Sequence, residues 1–244
     1  MSAAPPVRAP VIAALDVDTR AEAAAVMDRL GALVHLFKIG LQLYTREGWT
    51  AVEDVIERGH GAFVDLKLHD IPNTVQRAAA NLTRPGVRFL TLHASGGSDM
   101  IAAAADAVRE ARARDPRAQT KLLAVTVLTS LDDTDLREIG VDHTMPGQVL
   151  NLARLALRAG ADGLVASPRE VALLRRELGR DPVIVTPGVR FDGGAAHDQK
   201  RVMSPAAALR EGSDFLVMGR SLFEATDPGA LLRALAEETA SSER

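Results

Sequence analysis

Asp65, Lys67 and Asp70 stand in the run Asp65-Leu66-Lys67-Leu68-His69-Asp70, which closes the apolar stretch Ala62-Phe63-Val64. Strand side chains alternate faces, so Asp65 and Lys67 are expected on one side while Val64, Leu66 and Leu68 pack on the other. Two acids and a base at the inner end of a core-facing strand lose on the order of several kcal/mol of hydration per ion unless each charge is paired. An ammonium held between carboxylates can meet negative charge developing on a ligand and then deliver a proton, joining electrostatic and general-acid catalysis in one group. A structural ion-pair network is the alternative, because such networks also perturb ionisation.

Further polar residues sit where short apolar runs end. The strand candidates are Val11 to Leu15, Leu36 to Ile39, Ala62 to Leu66, Phe89 to Leu92, Leu122 to Val127, Gly163 to Val165, Val183 to Thr186 and Phe215 to Met218. Stretches with helical periodicity separate them, a pattern that favours a parallel sheet. Eight such units predict an α/β fold, a single (β/α)8 TIM barrel over residues 11–240, with a doubly wound open sheet as the structural alternative. Helix signals agree. Asp18-Thr19 followed by Glu22 reads as a capping arrangement before Ala23 to Leu30, with Gly31 as the stop. Ser98 to Arg114 is a long alanine-rich helix ending before Pro116, and Pro168 is expected to open a helix through Leu178.

In such a barrel, chemistry gathers at the C-terminal ends of the strands. Asp16, Lys38, Lys67 and Asp70, His93, Thr129-Ser130, Ser167-Pro168, Pro187-Gly188 and Gly219-Arg220 follow strands one to eight in that order. At the last of these, glycine lets an anion approach backbone N–H groups, arginine adds a forked cation, and a short helix supplies its dipole. The glycine-bearing segment Pro187 to Arg201 reads as a lid, with Arg190 and Gln199 placed to grip a ligand on closure.

Composition narrows the function classes. Of 244 residues, 47% are apolar and 25% charged, which suits a globular protein with a sizeable core. Residues 1–10 carry three prolines and read as a flexible N-terminal extension, as does the polar Ser241-Ser242-Glu243-Arg244 end. No apolar run approaches the ~18 residues needed to span a bilayer, and no secretory signal is evident. The absence of cysteine excludes disulfides, thiolate metal sites and cysteine nucleophiles, and a cytoplasmic location is expected. A net charge of -3 with 3% aromatics argues against nucleic-acid binding.

Seven motifs taken together resemble the orotidine 5′-phosphate decarboxylase family. They are Ala14-Leu15-Asp16, Phe37-Lys38-Ile39-Gly40, the block Asp65 to Thr74, His93-Ala94-Ser95-Gly96-Gly97, Val127-Leu128-Thr129-Ser130, Thr186-Pro187-Gly188-Val189-Arg190 and Gly219-Arg220. The match runs in order over about residues 11–235, and the Asp65 to Thr74 block is its most specific part. The resemblance implies decarboxylation of orotidine 5′-monophosphate to uridine 5′-monophosphate, in pyrimidine biosynthesis, without metal or organic cofactor. It implies an alternating row of Lys38, Asp65, Lys67 and an Asp70 from a second subunit, with Lys67 protonating C6. By the same carry-over, Asp16 and Lys38 would hold ribose hydroxyls, and Thr129 and Ser130 would meet the pyrimidine. Gln199 would bridge base and phosphate, while Arg190, Gly219 and Arg220 would serve the phosphate. Ile71 and Thr74 would reach the neighbouring site of a two-fold homodimer.

Leu68 departs from the family, where an aromatic is common, and only a packing change is expected there. His69 and His93 are read as structural or rim residues, because the chemistry needs a permanent cation and not a group that switches near neutral pH. Two rival readings stand beside the decarboxylase. One is a Mg-dependent barrel acting on sugar phosphates, which would need an acid near the end of strand two where this chain has Lys38. The other is a non-catalytic binder of nucleotide phosphates.

Overall fold

The computed structural model describes residues 9–191 and 203–242. Eight parallel strands close into one barrel in chain order: β1 (Val11–Ala14), β2 (Leu36–Gly40), β3 (Gly61–Leu68), β4 (Val87–His93), β5 (Lys121–Val125), β6 (Gly163–Val165), β7 (Val183–Thr186) and β8 (Phe215–Met218). β8 returns to β1 with Ala13 opposite Met218. The expected single (β/α)8 barrel is the fold observed.

Helices surround the barrel. After β1 comes α1 (Arg20–Leu30), and after β2 come α2 (Leu41–Glu47) and α3 (Thr50–Glu57). β3 leads into α4 (Pro72–Leu82), and β4 into a 3-10 turn (Ala94–Gly96) and α5 (Ser98–Arg114). β5 is followed by α6 (Asp133–Glu138) and α7 (Met145–Arg158), and β6 by α8 (Val171–Leu178). Beyond β7 lies α9 (Pro205–Arg210), and beyond β8 lie α10 (Arg220–Phe223) and α11 (Pro228–Ser242).

Alternation sorts the strand side chains into two apolar layers. One layer fills the barrel: Ile12, Phe63, Phe89, Leu123, Val125, Val165 and Val185. Their sequence neighbours Ala13, Val64, Leu90, Ala124 and Ile184 face outward into the larger core beneath the helices. Inside the barrel, Phe89 makes edge contacts with Phe63 at 5.6 Å and with Phe215 at 5.4 Å between ring centroids. Such pairs contribute about 0.5–1.5 kcal/mol beyond their buried area and give the upper cavity a rigid floor.

Several boundaries differ from the sequence expectation. α1 begins at Arg20, because Thr19 is the N-cap: it accepts from the Glu22 N–H at 3.2 Å, while the Glu22 carboxylate accepts from the Thr19 N–H. α8 begins at Val171 and not at Pro168, since residues 168–170 form a turn in which the Glu170 N–H donates to the Ser167 carbonyl at 3.1 Å. β3 runs two residues further than expected and ends at Leu68. Asp70 therefore lies in the turn beyond the strand and not at its end.

Candidate active site

A cavity of about 370 Å³ opens at the C-terminal ends of the strands, above the aromatic floor. Asp16, Lys38, Asp65, Lys67, Thr129, Arg190, Gly219 and Arg220 all line it, brought together from six different strand ends or the turns that follow them. Inward alternation explains their convergence: Lys38 follows Leu36 on the inner face of β2, and Asp65 follows Phe63 on that of β3.

Along one wall the charges alternate. The Lys38 ammonium stands 2.9 Å from Asp16 Oδ1 and 3.7 Å from Asp65 Oδ2. The Lys67 ammonium stands 2.9 Å from the same Asp65 Oδ2. Asp65 and Lys38 are each only 8% exposed, so each central charge has found the oppositely charged partners that burial demands. Burial is the largest influence on Asp65 and opposes its ionisation. Lys38, Lys67 and a hydroxyl bond from Thr91 together outweigh it and hold this carboxyl below the usual carboxylate range. Gly40, opposite Asp65 across the β2–β3 ladder, leaves room for the row, because a Cβ there would come within 2.7 Å of Lys38 Nζ.

The β3 backbone is irregular where it carries this chemistry. The β3–β4 register passes from Val64↔Leu90 to Leu68↔Leu92, so four steps on β3 meet two on β4. Lys67 takes up the excess at φ 50°, the sole positive φ at a non-glycine position among the described residues. A left-handed residue of this kind costs about 1–3 kcal/mol, held by the structure around it. Simple alternation did not anticipate this. Lys67 reaches Asp65 across a bulge and not as its regular next neighbour on the face.

The remaining candidates are placed less uniformly. Asp70 is exposed and accepts from its own Ile71 N–H at 2.6 Å, and it does not line the cavity of its own chain. The end of β3 at Leu68 and the start of α4 at Pro72 turn it outward. Ile71 is 67% exposed and Thr74 is exposed beside it on the first turn of α4. Ser130 is exposed in the turn after β5, outside the cavity that its neighbour Thr129 lines. Gln199 lies outside the described residues, as does most of the expected lid. Its flanks are joined: Val189 pairs with Met203, and the Arg190 N–H donates to the Met203 carbonyl at 3.1 Å.

His93 is half-buried near Lys67, with the His69 ring 5.4 Å away. Burial, His69 and Lys67 lower its pKa against the opposing pull of Asp65, which keeps it neutral near pH 7. Sequence reasoning passed over Thr91, a fully buried threonine between Leu90 and Leu92 that contacts both Asp65 and Lys67. A hydroxyl on the inner face of a strand otherwise rich in Phe and Leu was the one signal available.

Comparison with known proteins points the same way as the geometry. The sequence pattern of the Orotidine 5′-phosphate decarboxylase / HUMPS family matches residues 9–235. An orotidine 5′-phosphate decarboxylase of Moorella thermoacetica is 51% identical over 229 residues, covering 93% of this chain and 91% of that one. Another, from Syntrophotalea carbinolica, is 48% identical and covers 96% of each chain. The crystal structure of orotidine 5′-phosphate decarboxylase from Lactobacillus acidophilus superposes with a TM-score of 0.82 at 38% identity, covering 95% of this chain and 99% of that one.

Proposed function

The chain belongs to the orotidine 5′-phosphate decarboxylase / HUMPS family, and from that premise we propose that it decarboxylates orotidine 5′-monophosphate to uridine 5′-monophosphate, a step of pyrimidine biosynthesis. The alternating row Asp16, Lys38, Asp65, Lys67 on the cavity wall carries this reading. Breaking the bond between C6 and the carboxylate leaves an electron pair in the plane of the pyrimidine, where the ring π system cannot accept it. A fixed cation beside C6 offsets that charge without reorganising, and Lys67 is the cation so placed in this reading. The Lys67 ammonium then gives its proton to C6 and recovers one from water. Asp65 keeps the ammonium charged and aimed.

Other roles are those the family resemblance implies. Arg190, Gly219 and Arg220 take the phosphate, Asp16 and Lys38 the ribose hydroxyls, and Thr129 with Ser130 the pyrimidine, while Gln199 bridges base and phosphate. Binding energy from the distant phosphate then orders the reacting end. The chemistry asks for no cofactor.

The catalyst in this reading is a cytoplasmic homodimer. An isoleucine 67% exposed at the rim, beside Asp70 and Thr74, suits a surface covered by a second subunit, whose Asp70, Ile71 and Thr74 complete the site. No helix among the described residues is long and apolar enough to cross a membrane.

The Mg-dependent sugar-phosphate reading is less well supported, because Asp16 and Asp65 are both engaged by the Lys38 ammonium, which a divalent ion would have to displace. Purified protein given orotidine 5′-monophosphate should consume it spectrophotometrically, with equimolar uridine 5′-monophosphate and carbon dioxide formed. Saturable binding without turnover would favour the binder, and loss of turnover on chelation would favour the metal enzyme.

A further inference from the structure

Thr91 lies on β4 opposite the bulged stretch of β3 between Val64 and Leu68. Its neighbours Leu90 and Leu92 pair with Val64 and Leu68, while Thr91 itself has no register partner on β3. On its other side it is held in the ladder opposite Leu123. The gap is closed by its side chain. Thr91 Oγ1 accepts from the Lys67 N–H at 3.0 Å and donates to Asp65 Oδ1 at 2.8 Å. A hydroxyl carries one proton and two lone pairs, so this single oxygen meets both demands at once.

The two contacts fall on the Lys67 backbone N–H and on the Asp65 carboxylate oxygen that the two ammonium groups leave open. At φ 50° the Lys67 N–H is turned off the strand ladder, and a buried N–H without an acceptor is strongly disfavoured. Asp65 Oδ2 is engaged by both ammonium groups, which leaves Oδ1 to fix the rotation of the carboxylate. Resting on the decarboxylase reading above, we infer that Thr91 is a positioning residue: through one hydroxyl it holds the left-handed Lys67 backbone and the Asp65 carboxylate in register, and so aims the Lys67 ammonium at the reacting carbon. Thr91 is fully buried and does not line the cavity, so it acts through Lys67 and Asp65 and does not touch substrate.

The test compares wild type, Thr91→Val and Thr91→Ser with orotidine 5′-monophosphate. Valine keeps the branched shape and removes the hydroxyl, and serine does the reverse. In T91V, kcat should fall roughly a hundredfold with KM within about threefold, the size expected when a reacting group is misplaced by about 1 Å. The acid limb of its pH profile should also move to higher pH, because Asp65 loses a bond that favours its charged form. T91S should recover kcat to within about threefold of wild type. Unchanged kcat in T91V, equal losses in T91V and T91S, or a fall in kcat matched by a rise in KM would each overturn the assignment. Should T91V not fold, T91C takes its place, with a fall in kcat of about tenfold expected from the weaker sulfhydryl bond and an unchanged kcat counting against the assignment. If wild type shows no turnover, the functional reading fails separately. Crystal structures of wild type and variant then decide the role of Thr91: displacement of Lys67 from Asp65 supports it, and an intact pair overturns it.

Discussion

Lys67 Nζ and Asp65 Oδ2 lie 2.9 Å apart although the strand joining the two residues is bulged between them. A regular strand would set these side chains side by side, pointing in parallel. The left-handed turn at Lys67 instead changes the direction in which the ammonium leaves the backbone, while Asp65 stays anchored by Lys38 and Thr91. The pair is thus a product of backbone distortion as much as of charge.

Replacing Lys67 by alanine removes the group assigned to both charge stabilisation and proton delivery. Steady-state assays of Lys67→Ala should show kcat reduced by many orders of magnitude, with circular dichroism and the thermal midpoint still those of a folded protein. Activity within about tenfold of wild type, or ~1.4 kcal/mol of barrier, would remove the lysine from the mechanism.

Asp65→Asn leaves the Lys38 and Lys67 ammonium groups without their shared counter-charge. Removing one partner of a buried pair costs about 3–5 kcal/mol, and denaturant unfolding should show a loss of that order. The cost falls mainly on Lys38, whose side chain is about as buried as that of Asp65, whereas Lys67 keeps some access to water.

Arg220 opens α10 at the cavity wall. Arg220→Ala should lower kcat/KM for orotidine 5′-monophosphate by roughly 10- to 100-fold, as expected for losing a charge-assisted phosphate contact. The slow reaction of the nucleoside lacking phosphate should hardly change. Equal losses for both substrates would move Arg220 off the phosphate.

His93 gives stability a pH dependence whose sign follows from its lowered pKa. An unfolded histidine titrates near about 6.5, so on acidification the unfolded chain takes up this proton before the folded one does. The contribution is fully present above the unfolded value and is lost as pH falls through the folded value. His93→Gln should flatten the decline of the denaturation midpoint just below about pH 6.5. A variant with the same slope as wild type would show that other groups cause it.

The shared-site reading makes a prediction about mixed subunits. Lys67→Ala and Asp70→Ala homodimers should each be nearly inactive, yet unfolding and refolding them together should regain roughly a quarter of wild-type activity, since one of the two sites in each heterodimer has both residues. No recovery in verified heterodimers would put Asp70 and Lys67 to work within one chain.

Much of the fold was legible because its signals are local. Alternating apolar runs, the Thr19–Glu22 capping box and the alanine-rich Ser98 to Arg114 stretch are each set by neighbours a few residues away, and they led to eight strands in a barrel. The helix expected from Pro168 was misplaced for the same reason: proline fits the first turn of a helix, but it fits an ordinary turn as well.

By itself the chain determined which residues could share a cavity. Once eight parallel strands are granted, Asp16, Lys38, Asp65, Lys67, Thr129, Arg190, Gly219 and Arg220 fall at the same barrel end through spacing alone. Tertiary structure decided how they meet. The two-residue excess of β3 over β4, the left-handed Lys67, the hydroxyl that Thr91 lends to it and the outward turn of Asp70 all arise from pairing between strands 20 or more residues apart or from how the chain leaves a strand. Such pairing depends on which hydrogen bonds remain unmet after the barrel closes, and no local pattern of residue types carries that information.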